Sequence, residues 1–122
     1  MYQFSENFDI SCLSLIGDSH IAVGGIEGEM RLYDARNTKE VISEVRFEQK
    51  INEMYALDLR NIVVLTEDVH ILDNKLEILE TLVMENKSDG SLRKTVYDKK
   101  RAILVVGGFD GVIHLIKICK FN

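Results

Sequence analysis

The stretch AVGGIEGEMRLYD, residues 22–34, occurs a second time in this chain as VVGGFDGVIHLIK, residues 105–117. The two copies lie 83 residues apart, and each contains an apolar segment, a Gly-Gly-x-acid-Gly turn and a second apolar segment. Half of that displacement predicts a middle copy near residue 63, where VVLTEDVHILD stands with a shortened turn. The sequence therefore indicates three units of roughly 40 residues, each built of short strands.

Each unit divides into short apolar segments separated by Gly, Asp, Asn and Ser, which favour tight turns. Short connections of this kind join neighbouring antiparallel strands into a small sheet. We expect units at about 8–47, 48–83 and 84–122 within a single domain that spans residues 1–122. The predicted strands are 10–15, 20–24, 30–34 and 41–47 in the first unit, 51–59, 61–65, 69–73 and 76–83 in the second, and 92–97, 102–107 and 112–118 in the third.

The third unit has only three predicted strands, whereas the first two have four each. Residues 2–5, which are Tyr2, Gln3, Phe4 and Ser5, precede the first unit and belong to no sheet of their own. We expect them to form a closing strand that completes the last unit. A helix over residues 72–87 is the alternative to the strand at 76–83, because the apolar residues there approach a 3.6-residue period. The repeat register favours the strand.

Small antiparallel sheets that recur about every 40 residues are typical of β-propeller blades. The segment Met30-Arg31-Leu32-Tyr33-Asp34 follows a glycine turn and ends in an aromatic residue and Asp. In this it resembles the repeat of the WD-repeat β-propeller family, with Tyr33 in the position of the family's Trp. The same two positions hold Leu72 and Asp73 in the second unit and Ile116 and Lys117 in the third, and the acid before the last turn glycine is Glu27 in the first and Asp110 in the third.

The resemblance covers essentially the whole chain and implies an all-β fold of antiparallel four-stranded blades, a WD-repeat-like propeller segment of three blades. Each unit departs from the family's pattern. No Gly-His pair precedes the first strands, and Val23 and Val106 replace the usual Ser or Thr of the second strand. The buried Asp–His–Ser–Trp network of the family therefore lacks its residues, and we expect apolar packing to hold the blades together.

Composition indicates a soluble globular protein, with 46% hydrophobic and 29% charged residues among 122. No apolar stretch reaches the ~18 residues that a membrane span requires. The N-terminal MYQFSENFDI lacks the features of a secretory signal, so we expect an intracellular protein, cytoplasmic or nuclear. The net charge of -5 argues against nucleic acid as a partner. We interpret the basic run at 99–101 as a solvated hairpin rim, with a contact to an anion or RNA as the alternative.

No constellation of residues predicts an enzyme, a cofactor or a metal site. Cys12 and Cys119 lie in apolar strand patterns, which favours buried reduced thiols over a disulfide. His70 and His114 occupy corresponding positions of the repeat, as architecture produces, and His20 lies at a turn. The glycines at 24, 25 and 28 precede a strand rather than a helix, so they indicate a hairpin turn and not a phosphate loop.

Closed propellers use 4–8 blades, so an arc of three would leave two apolar blade faces open to water. We expect another polypeptide to cover them, either a second copy of the chain, which would give six blades, or a different protein; both routes stay open. The predicted function is a non-catalytic protein–protein interaction scaffold. The alternatives are a structural subunit of a larger complex and a propeller that recognises a peptide, a lipid headgroup or RNA. The expected contact residues at the mouth of the ring are Asp18, Ser19, Glu27, Lys99, Lys100, Arg101 and Asp110.

Overall fold

The computed structural model of the chain describes residues 3–84, 92–108 and 111–118. That part of the chain contains strands and no helix, so it has no helix that could cross a membrane. Its strands, in chain order, are β1 (Ile10–Ile16), β2 (His20–Gly25), β3 (Glu29–Asp34), β4 (Asn37–Arg46), β5 (Glu53–Ala56), β6 (Asn61–Leu65), β7 (Val69–Asp73), β8 (Ile78–Leu82), β9 (Leu92–Asp98), β10 (Ile103–Gly108) and β11 (Ile113–Lys117).

The strands form three antiparallel sheets in which each strand pairs with the next one along the chain. Blade 1 contains β1 to β4, blade 2 contains β5 to β8, and the described strands of blade 3 are β9 to β11. The first strands of successive sheets touch, β1 against β5 and β5 against β9. The sheets therefore meet along their inner strands and fan outward, as the blades of a propeller do. The predicted all-β propeller-like fold is confirmed.

Blade 2 is buried on both faces because each face packs against a different neighbour. Side chains alternate along β6, so Ile62 and Val64 enter a core cluster shared with blade 1. Val63 and Leu65 enter a second cluster shared with blade 3. All four side chains are fully buried. Burial of each contributes roughly 1.5–3 kcal/mol, so the two junctions between blades stabilise the fold substantially.

The connections between blades are anchored on the turn between the second and third strands of the blade that they leave. After blade 1, the Phe47 amide donates to the Gly28 carbonyl at 2.9 Å. After blade 2, the Met84 amide donates to the Asp68 carboxylate at 3.0 Å. Gly28 has φ +92, and a Cβ there would overlap the Phe47 carbonyl oxygen. Only glycine fits this turn without displacing the connection.

Blade 2 also holds a buried polar network, so the expectation of purely apolar packing is incomplete there. One ring nitrogen of His70, Nε2, lies 3.1 Å from the Thr66 hydroxyl. The other, Nδ1, lies 2.9 Å from the Thr81 hydroxyl on β8. The Phe47 ring packs on the imidazole with centroids 4.6 Å apart. The network joins three segments of one blade to the connection from the previous blade.

Some strand bounds differ from the sequence-based expectation, and local hydrogen bonds explain the largest difference. The strand predicted over 51–59 is only β5, four residues long. Before it, the Asn52 side chain donates to the Thr66 carbonyl at 3.2 Å, and after it the Asp58 carboxylate accepts from the Arg60 and Asn61 amides. The Asn52 side chain thus binds a turn carbonyl and the Asp58 carboxylate binds turn amides, and these contacts end the strand on both sides. The strand expected over 76–83 is β8, and not a helix.

Candidate interaction surface

Among the described residues, the arc of three blades has one face at each end that is not packed against another blade. The face of blade 1 is set by cross-strand register, since directly paired residues lie side by side on the same face of a sheet. Leu13 of β1 pairs with Val23 of β2, which pairs with Arg31 of β3. In the same way Leu15 pairs with Ile21, which pairs with Tyr33. We call these six residues the blade 1 end face: Leu13, Leu15, Ile21, Val23, Arg31 and Tyr33.

The segment before β1 lies across the outer half of the blade 1 end face. The Phe4 ring packs edge-on against the Tyr33 ring, with centroids 5.0 Å apart. The guanidinium of Arg31 lies 5.4 Å from the centroid of the Phe8 ring, within the range of a cation–π contact. Val23 and Tyr33 are consequently buried. We call residues 4–8 the lead-in segment.

Glu6 connects the lead-in segment to the sheet. Its Oε1 accepts from the Tyr33 hydroxyl at 2.7 Å and from Arg31 Nη1 at 3.1 Å, and its side chain is 3% exposed. Its Oε2 is buried and has no hydrogen-bond partner among the described residues. Burial raises the pKa of Tyr33, and the bond to Glu6 raises it further, so the phenol stays a donor. The pKa of Arg31 is raised, chiefly by its interaction with Tyr33; burial opposes the shift, and the hydrogen bond to Glu6 adds to it.

The inner half of the blade 1 end face is exposed to solvent. Leu13 and Leu15 project from β1 and are 61% and 71% exposed. Both lie on the strand that is nearest the centre of the arc, where β1 also touches β5. An apolar strip at this position is available to a neighbouring blade.

Blade 3 exposes the opposite face of its sheet. Val96 pairs with Val105, which in turn pairs with Leu115, and Gly107 pairs with Ile113. We call Val96, Val105, Ile113 and Leu115 the blade 3 end face. Val96, Ile113 and Leu115 are 63%, 71% and 72% exposed. The other face of the same sheet is buried against blade 2 through Leu104 and Val106.

The residues predicted for the mouth of the ring do not share one edge of the arc. Asp18 and Ser19 lie in the β1–β2 turn, and the basic run 99–101 lies in the β9–β10 turn, both at the same end of the strands. Glu27 lies in the β2–β3 turn, at the other end of β2. Successive hairpin turns lie at opposite ends of an antiparallel sheet, so the structure separates these residues. Asp110 lies outside the described residues.

The predicted closing strand is only partly visible. Tyr2 lies outside the described residues, and Gln3, Phe4 and Ser5 are in no strand. Phe4 instead belongs to the lead-in segment on blade 1. Pairing of residues 2–5 with the last blade of another polypeptide stays a prediction, because the structure contains a single chain.

The lead-in segment is the part of this surface that sequence reasoning missed. Arg31 and Tyr33 are two residues apart in β3, and this spacing alone predicts that they lie on the same face of the sheet. Glu6 lies outside any strand, so no periodicity relates it to that face. Within residues 3–84, 92–108 and 111–118, no group of three or more His, Cys, Asp or Glu side chains could hold a metal ion.

Comparison with known proteins identifies the architecture. A chain in the crystal structure of an active polycomb repressive complex 2 in the basal state matches with a TM-score of 0.82 and 16% sequence identity. The match covers 98% of this chain and 28% of that chain, so the present chain corresponds to little more than a quarter of it. In all, 321 chains of solved structures match, and a fold so widely used does not select one function. No family model matches the chain, and no curated protein matches its sequence.

Proposed function

We propose that the chain is a non-catalytic protein–protein interaction scaffold of WD-repeat type, whose three blades complete a propeller ring with blades from another polypeptide. The observation that carries the proposal is the pair of exposed apolar end faces. Full burial of a Leu, Ile or Val side chain contributes roughly 1.5–3 kcal/mol. The five most exposed residues of the two faces therefore represent a free energy comparable to the 5–15 kcal/mol net stability of a typical domain.

Two further observations support a scaffold over a catalyst. Both ring nitrogens of His70 lie within hydrogen-bond distance of threonine hydroxyls, which gives this buried histidine a structural role. A similar fold also occurs in a chain of the polycomb complex structure, so the architecture is compatible with a place in a multi-subunit assembly. A structural subunit without an independent ligand is the second reading of the same surface.

The test is the mass of the native protein together with the identity of what co-purifies. We expect the 13.9 kDa chain to sediment at twice that mass or to carry a partner protein. Leu13→Glu and Leu115→Glu should abolish the association, whereas Leu59→Glu, at an equally exposed Leu in the β5–β6 turn, should not. A dispersed monomer that binds no protein would contradict the proposal.

The turn residues supply a second, independent test of partner contacts. Ala substitution of Asp18 and Ser19, or of the basic run 99–101, alters the edge that carries the β1–β2 and β9–β10 turns. Glu27→Ala alters the opposite edge and serves as the matched control. Weaker partner binding for the first group alone assigns the contact to that edge, and unchanged binding for all of them excludes both edges.

A further inference from the structure

We infer that the polypeptide that covers both end faces is a second copy of this chain, joined head to tail. In this arrangement blade 3 of each copy packs on blade 1 of the other, and the two copies form a six-blade ring around a two-fold axis. The inference rests on the proposed function and names the partner. The junctions between the chain's own blades show what each end face would pack against.

The blade 3 end face is as apolar as the faces that pack between blades, but it is exposed. The strand register identifies the face that each blade turns toward the next blade. On this face Leu32, Ile71 and Leu115 of the third strands occupy equivalent positions, because each pairs with the equivalent residue of its second strand. In blades 1 and 2 this face is buried against the following blade. The equivalent third-strand residues are Met30 and Leu32 in blade 1, Val69 and Ile71 in blade 2, and Ile113 and Leu115 in blade 3. All six are apolar, and only the last two are exposed.

The blade 1 end face is arranged to receive a preceding blade. Phe47 lies six residues before β5 and packs on His70 of the third strand of blade 2. Phe4 lies six residues before β1 and packs on Tyr33 of the third strand of blade 1. The lead-in segment therefore enters blade 1 as the connection after β4 enters blade 2. No sheet of the described residues covers Leu13 and Leu15.

The segments that contain the two end faces carry opposite net charge. Residues 1–47 contain eight acidic and four basic side chains, and residues 84–122 contain four acidic and eight basic ones. The junction between blades 2 and 3 already has this polarity, because residues 48–83 contain eight acidic and three basic side chains. There Glu53 accepts from the Thr95 amide at 2.7 Å and lies 3.5 Å from Lys94 Nζ. Head-to-tail pairing repeats the attraction, whereas pairing two blade 3 faces would bring like charges together.

A ring of two copies has a number of blades that closed propellers use. Two copies supply six blades, within the range of 4–8 that closed propellers use, and three copies would supply nine. Closed two-fold dimers are also the commonest symmetric oligomers. A head-to-tail contact that closes after two copies leaves no end face free for further growth.

The experiment is sedimentation equilibrium of the full chain, alone and in mixtures of two single-face variants. Wild type should be a dimer of 13.9 kDa chains. Leu115→Glu alters only blade 3 and Leu13→Glu only blade 1, and each alone should weaken association at least ~100-fold because both junctions of the ring carry the change. Mixed in equal amounts, they should dimerise again, since one junction of the mixed ring joins two unaltered faces. Leu59→Glu should behave as wild type.

The outcomes separate this inference from the proposed function. A wild-type monomer that co-purifies with a different protein overturns the self-paired ring and leaves the scaffold proposal intact, and a monomer that binds nothing overturns both. If one of the two variants still dimerises alone, or if the mixture stays monomeric, the head-to-tail arrangement is wrong. A trimer or an open polymer excludes the six-blade ring. Leu15→Ser and Ile113→Ser, with unfolding curves for every variant, repeat the mixing test with milder changes.

Discussion

The repeated segment occupies two different environments, one in blade 1 and one in blade 3. Leu32 and Leu115 hold the same position of the repeat, yet Leu32 is fully buried and Leu115 is 72% exposed. The two hairpins share a feature, since Gly28 and Gly111 occupy equivalent positions of the repeat and both have positive φ. What differs is the neighbour, because blade 2 covers Leu32 and no described residue covers Leu115 in the same way. The hairpin specifies a face that can be buried, and the adjacent blade decides whether it is.

Shortening the repeated leucine should change the free energy of unfolding more than the other substitutions described below. Leu32→Ala should lower the free energy of unfolding by about 2–5 kcal/mol, because it leaves a cavity in the junction between blades 1 and 2. Leu115→Ala should lower it by less than about 1 kcal/mol, since little buried contact is lost. Urea unfolding followed by circular dichroism measures both, in a Leu13→Glu background that removes the contribution of association. Equal losses would mean that Leu115 is covered within its own chain.

The turn glycines of the two copies should also differ in their contribution to stability, by a smaller amount. A Cβ at Gly28 would meet the Gln49 carbonyl oxygen at 2.8 Å and would overlap that of Phe47, at a φ of +92. At Gly111, with φ +76, a Cβ would meet nothing within 4 Å. Gly28→Ala should therefore cost about 3 kcal/mol of unfolding free energy, and Gly111→Ala only about 1 kcal/mol, the backbone strain alone. The same unfolding measurement applies. Similar losses would show that the anchoring of the Phe47 connection contributes nothing to stability.

Much of the fold could be predicted because the repeat fixes which apolar segments are equivalent. The bounds of β6 and β7 agree with the prediction to the residue, since short polar turns enclose both strands. The inner strand β5 is shorter than predicted because Asn52 and Asp58 bind backbone groups of the turns beside it. Apolar residues continue past the point where such side chains end the pairing, so hydropathy alone overextends a strand.

The candidate surface was less accessible to sequence reasoning. Two exposed end faces follow from counting three blades, and the structure assigns them to Leu13 and Leu15 at one end and to residues near Leu115 at the other. The contact between Glu6 and Tyr33 joins a strand to a segment outside the repeat, and no pattern in the sequence predicts it. Strand alternation alone places the turns of Glu27 and Asp18 at opposite edges, and a role of either residue in partner contacts stays a prediction.

The residue across from the second strand glycine also differs between the two copies. Gly24 pairs with Cys12 in blade 1, and Gly107 pairs with Lys94 in blade 3. Burial in the junction raises the pKa of Cys12 to about 11, although a hydrogen bond from Ser11 opposes part of the shift. At pH 8 the folded chain should be alkylated at least about tenfold more slowly than the unfolded one, because the thiolate is the nucleophile. The rate should rise with pH toward 11.

A Cys119→Ser variant isolates the Cys12 reaction, with the urea-unfolded chain as the reference. Because the folded state holds the thiol proton more tightly than the unfolded state, stability should decline as pH rises from about 9 toward 11. A folded chain that reacts as fast as the unfolded one would show that the blade 1–blade 2 junction opens readily at β1.

The smallest effect is expected at the end of the third strand, where Asp34 in blade 1 corresponds to Lys117 in blade 3. Arg36 forms a two-point ion pair with the Asp34 carboxylate, at 3.0 and 2.8 Å, and its amide donates to Oδ1 as well. These bonds lower the pKa of Asp34 from 3.8 to about 2.

Carboxyl chemical shifts should therefore show a midpoint near pH 2, which Arg36→Gln moves toward 3.8. The stabilising contribution is complete above about pH 4 and is lost as the pH falls through 2. Since the pair is exposed, Arg36→Gln should move this midpoint while leaving the unfolding curve at pH 7 almost unchanged. A clear loss of stability at pH 7 would mean that the β3–β4 turn contributes to the fold beyond its own hairpin.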